Sequence, residues 1–157
     1  MSNQLKELYE YRERLLERLL ERAGEFRAAV ETVADPKSPR EAGGWNAHQL
    51  AVHVRDVAVN VYGMRVRRTA AESNPEFQNF DADAWMAAHY NPDEPLGKVL
   101  DEFTAEVHAL VRLLRESPQE IWSRESRHTV YGGGFTLQAW VERGLAHIEE
   151  HLQTVRG

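Results

Sequence analysis

His147 and His151 stand four residues apart in a stretch that reads as one helix. At about 100° per residue their directions differ by roughly 40°, so both imidazoles leave one face, one turn apart. Two histidines so placed can reach a single divalent ion. The spacing alone is weak, because such pairs also occur on helix surfaces by chance. The string His147-Ile148-Glu149-Glu150-His151 has the H-x-x-E-H form of one zinc peptidase class. A zinc site wants a third protein ligand, and none of residues 152–157 is Asp, Glu or His. The chain is also short for that class. The third ligand is therefore expected upstream.

His53 is the upstream candidate. It falls on the stripe of Leu50, Val57 and Met64, so it points inward. Asn60 lies within roughly 20° of the same line, and Asp56 flanks it. Polar groups on an apolar stripe are costly unless paired, and they gather where a buried site uses them. A core histidine satisfied by one hydrogen bond is the alternative for His53 taken alone. Asp56 and Glu150 are candidates to orient ligand imidazoles or move protons, although each stands about 60° off its neighbouring histidine. A solvent-facing role suits them equally. Trp140 lies within roughly 20° of His147, two turns earlier, with Gly144 between them. That glycine gives close helix packing or room beside a metal.

The remaining histidines look less purposeful. His48 sits in the first turn of its helix on another face, His108 lies just off a helical seam, and His89 and His128 fall in connections. The chain has seven histidines and no cysteine. That excludes thiolate zinc fingers, cysteine-ligated iron–sulfur clusters, redox pairs and a cysteine nucleophile. Any metal must be held by His, Asp or Glu.

The elements that position these residues are helical. A first amphipathic helix spans about Asn3 to Val33 and ends at Pro36 and Pro39. The second starts at Asn46, with Gln49 completing a near capping box, Trp45 and Leu50 available as a hydrophobic staple, and an end near Glu72. Ser73 to Pro95 is a long connection, with a short helix over Asp81 to Tyr90. The third helix, about Leu96 to Glu116, carries a seam at Leu96, Leu100, Phe103, Val107, Leu110 and Leu114. Ser117-Pro118-Gln119-Glu120 reads as a capping box opening a turn around Trp122. Ser126 to Phe135 is a loop or small hairpin whose three glycines lack the lysine and spacing of a P-loop. Thr136 caps the last helix. Four long helices and one long crossover predict an all-α four-helix bundle, a single domain over residues 1–157.

With 42% hydrophobic residues the composition is that of a folded chain. A formal charge of −6 gives no basic stripe for nucleic acid. No run of 18 apolar residues suggests a membrane helix, and the polar N-terminus lacks a signal-like apolar stretch. A cytoplasmic location is the default expectation.

Gly44-Trp45-Asn46 leading into Gln49-Leu50-Ala51-Val52-His53-Val54-Arg55-Asp56, and Thr136-Leu137-Gln138-Ala139-Trp140 leading into His147-x3-His151-Leu152, resemble motifs of the DinB/YfiT-like superfamily of bacterial four-helix bundles. The resemblance spans nearly the whole chain. It implies up-down-down-up connectivity, which suits the long second crossover. It also implies a three-histidine metal site on His53, His147 and His151, and members that are often homodimers. Characterised relatives include thiol-dependent enzymes such as mycothiol-dependent maleylpyruvate isomerase and bacillithiol transferases.

The expected function is a metal-dependent enzyme acting on a small molecule, a hydrolase or thiol S-transferase in type. Three imidazoles leave open positions on a divalent ion, where water or a low-molecular-weight thiol can bind. Zinc or nickel suits the donor set, as does iron. The rival is a non-catalytic metal- or ligand-binding bundle in a stress response.

Overall fold

The computed structural model describes residues 2–157. Helix α1 (Asn3–Glu31) starts on Ser2, whose Oγ accepts from Leu5 N, and buries Leu15, Leu19, Phe26 and Val30 along one stripe. Helix α2 (Ala47–Val57) opens on a complete capping box. Asn46 accepts from Gln49 N, and the Gln49 side chain accepts from Asn46 N. Helix α5 (Leu96–Glu116) buries Leu100, Phe103, Val107, Leu110 and Leu114, the seam read from the sequence, while Leu96 at its start is half-buried. Helix α6 (Leu137–Arg156) is capped by Thr136.

The second long helix departs from a regular 3.6-residue repeat. After α2 the backbone passes through a π-helical segment, Ala58–Gly63, before continuing as α3 (Met64–Ala71). A π turn inserts one residue, which sets back every later side chain by about 100°. Gly63 closes the segment. A Cβ there would stand 2.5 Å from the Ala58 carbonyl oxygen, so glycine fits the turn where other residues crowd it.

Helix α1 packs on α5 and α6, and the α2–α3 helix packs on the same two partners, so four long helices close around one core. Phe26 meets Phe103 edge-on at its centre, ring centroids 5.5 Å apart.

An all-α fold is the expectation that the structure corrects. The end of the bundle carries a three-stranded sheet, order β1-β2-β3, made of β1 (Glu76–Phe77), β2 (Glu125–His128) and β3 (Gly132–Thr136). Strands β2 and β3 are the small hairpin allowed for Ser126–Phe135. Strand β1, in the long crossover, pairs parallel with β2 through Glu76–Arg127 and Phe77–His128. Two residues pairing with a partner some fifty positions away leave no periodic signal in sequence. The crossover also contains α4 (Ala82–His89), capped by Asp81. Ser117 does not cap the turn after it, because its Oγ donates to Leu113 O at 2.6 Å.

Candidate metal centre

Helices α2 and α6 meet at three histidines. One ring nitrogen of each of His53, His147 and His151 lies within 4.8 Å of the others. His53 Nε2 and His147 Nε2 are 3.0 Å apart. His53 is 5% exposed. Its ring packs 4.8 Å from Trp45 and 4.8 Å from His151, centroid to centroid, so the residue just before the Asn46 cap also walls the site. Gly144 supplies space, since a Cβ there would meet Tyr62 at 3.2 Å. Tyr62 in turn faces His147 at 5.9 Å.

The electrostatics keep these rings neutral. Burial first, and then the neighbouring His151, lower the His53 pKa to about 4. Burial first, and then His151 and His53, lower that of His147 to about 3. His151 is lowered by burial, against the opposing charge of Glu150. Neutral imidazoles offer lone pairs, which is the protonation state a metal ligand needs.

The donor set fits a divalent ion. Two nitrogens at about 2.05 Å from one zinc ion in tetrahedral geometry stand about 3.3 Å apart. The observed 3.0 Å is reached from that by a few tenths of an ångström of side-chain motion. His151 Nδ1 is buried and has no hydrogen-bond partner among the described residues.

Of the other residues singled out in the sequence, Glu150 lines the same cleft, and Asp56, Asn60 and Trp140 do not. Asn60 is exposed, because the π segment breaks the repeat that placed it on the His53 line. Asp56 is buried, but it accepts from Arg55 Nε and Trp85 Nε1, tying α2 to α4 rather than orienting an imidazole. Trp140 is fully buried one layer away, its Nε1 donating to Ser126 Oγ at 2.7 Å. Glu150 is exposed at the rim and bonds to no ligand imidazole among the described residues. His48 is a strut, with Nδ1 2.6 Å from Tyr90 Oη and Nε2 2.7 Å from Glu94 O.

The histidines open into a cleft of about 320 Å³, within the size range of small-molecule sites. Its walls include Tyr62, Arg65 and Phe80 from the second helix and crossover, His128 and Tyr131 from the hairpin, and Arg143 from α6. Periodicity did not reveal Tyr62 and Arg65, which lie beyond or within the π turn. His128 falls in a connection by sequence pattern, whereas the structure buries it in β2 at 3% exposure. Arg143 was legible, being one turn before His147 on the same face.

A model of the DinB superfamily matches residues 7–155. The chain belongs to the DinB superfamily. The solved structures similar to this DinB chain include YfiT from Bacillus subtilis, described as a probable metal-dependent hydrolase with an unusual four-helix bundle topology. The identity is 22%, the TM-score 0.70, and the match covers 98% of this chain and 89% of that one, which establishes the shared fold. A comparison with curated protein sequences found no match.

Proposed function

We propose that this DinB protein is a metal-dependent enzyme acting on a small molecule, with one divalent ion held by His53, His147 and His151. The observation that carries this is the convergence of three neutral imidazoles at the floor of an open cleft. Zinc, nickel and iron all suit this donor set. When bound, the ion supplies Lewis acidity and lowers the pKa of coordinated water or thiol. The chain's own residues do the rest. Trp45 and Tyr62 pack the ligand rings and hold them together. Burial keeps the rings unprotonated at neutral pH. Glu150, at the cleft rim, is placed to exchange protons with solvent.

Hydrolysis is the first reading of the chemistry. Thiol transfer is the second, and in a chain with no cysteine its sulfur nucleophile would come from a cosubstrate. The test is the metal content of purified protein and of His53→Ala and His147→Ala variants. Stoichiometric metal in the parent, lost in both variants, is expected. Absence of metal, or metal indifferent to both changes, overturns the site. Esters, and electrophiles offered with low-molecular-weight thiols, then separate the two chemistries. Metal retained without turnover of either class identifies a non-catalytic bundle.

A further inference from the structure

Beside the three histidines the cleft carries two guanidiniums with no role in holding a metal. Arg65, on α3, is 6% exposed and lines the cleft. Its Nη2 donates to Gln78 O at 3.1 Å, while its Nε is buried with no hydrogen-bond partner. Its charge rests among aromatic faces, 4.7 Å from Trp140, 5.8 Å from Phe77 and 5.9 Å from Tyr62. Arg143 lies over Phe135 at 5.0 Å and over the same Trp140 at 5.9 Å. No carboxylate of the described residues comes within 4.0 Å of either guanidinium, although acids outnumber bases in the chain and most of its other arginines form ion pairs.

A buried charge without a counter-charge is expensive, and aromatic faces offset only part of that. Burial and the proximity of Arg143 both push the Arg65 pKa down. Burial first, and then the same two arginines, lower the pKa of His128. Among the side chains that line the cleft the formal charges are two arginines against Glu150, a lining suited to one negative charge before any metal ion is counted. The guanidinium fork matches a planar carboxylate, to which it donates two parallel hydrogen bonds.

We propose that this cleft is a monoanion site, in which Arg65 and Arg143 hold the carboxylate of a small substrate whose other end faces His53, His147 and His151. The arginine half of the site stands on its own geometry, and only the orientation toward the histidines rests on the metal reading above.

The test is a binding titration with butanoate, its neutral isostere butanamide and inorganic phosphate, read by NMR at the Trp140 indole N–H. It is run on chelator-treated protein and on metal-loaded protein. Saturable butanoate binding in both forms, no binding of butanamide and weaker binding of phosphate are expected. Arg143→Gln, at an exposed position, should weaken butanoate at least tenfold with unchanged melting and metal content. Arg65→Lys keeps the charge without the fork and should weaken it by a smaller factor. The proposal is overturned if butanoate and butanamide bind alike, if phosphate is preferred, or if Arg143→Gln binds butanoate as the parent does. It is also overturned if butanoate binds only the metal-loaded form, which would mark direct ligation of the ion. A protein that binds no metal yet binds butanoate through the arginines refutes the metal reading alone.

Discussion

Replacing Gly63 by alanine tests whether the π turn shapes the cleft. In an ordinary helix this exchange stabilises by about 1 kcal/mol, because alanine has the better helix propensity. At Gly63 the added methyl would meet the Ala58 carbonyl oxygen at 2.5 Å, Glu106 Oε1 at 2.5 Å and Arg67 Nη1 at 3.0 Å. Glu106 and Arg67 pair with each other and can swing aside together. The Ala58 oxygen is backbone and cannot move without unwinding the turn. Overpacking of this kind costs about 1–3 kcal/mol, and a contact this close belongs at the upper end. Set against the propensity gain, the net loss is about 2 kcal/mol. For a chain of this size that lowers the melting temperature by about 4–8 °C. Gly24, exposed in the middle of α1 with nothing within 4 Å of a built Cβ, is the internal control. Gly24→Ala should raise the melting temperature by about 1–4 °C. Calorimetry of both variants reads the opposite signs. If Gly63→Ala relaxes to a regular helix, Tyr62 turns by about 100°. Its ring should then lose its nuclear Overhauser contact with His147. A Gly63→Ala protein that melts at or above the parent, contact intact, refutes the reasoning.

Acid should destabilise the metal-free protein in a window set by the ligand rings. An unfolded histidine takes up a proton near pH 6.5, whereas folded His53 and His147 do so only at about 4 and about 3. The unfolded state therefore binds more protons as pH falls from 6.5, and stability drops by up to about 1.4 kcal/mol per pH unit for each ring. Urea midpoints of chelated protein should fall between pH 7 and pH 5, and less steeply in His53→Gln; a flat profile would contradict the neutral cluster. Below pH 4.5 a second decline is expected as Glu94, held at about 2 chiefly by its hydrogen bonds to Arg55, loses its ion pairs. Ser126→Ala leaves the buried Trp140 Nε1 and Phe135 O without their shared hydroxyl and should cost about 1–3 kcal/mol by denaturant melting. A loss under about 0.5 kcal/mol would mean that water replaces it.

The parts legible in sequence are those set by local chemistry. The α5 seam, the Asn46 and Thr136 caps and the inward His53 all follow from side-chain periodicity and backbone hydrogen-bond needs over a few residues. The i,i+4 histidine pair is likewise a one-turn property, and the structure brings it to His53. Asn60 shows the limit, because a single π turn outdates every wheel angle drawn through it. Asp56 shows another, since its partner Trp85 arrives from a crossover whose path has no period. Strand β1 and His128 show a third, for their pairing is long-range and two residues wide.

The histidines His53 and His147 are 94 positions apart, on helices that meet only in the finished bundle. Loop closure over that span must precede any shared ligand. A growing polypeptide therefore carries only one of the three candidate ligand imidazoles through most of its synthesis, and the full set appears only once α6 docks. Metal capture on the three-histidine reading is thus a late event that reports completed assembly, and fragments lacking α6 would be blind to the ion.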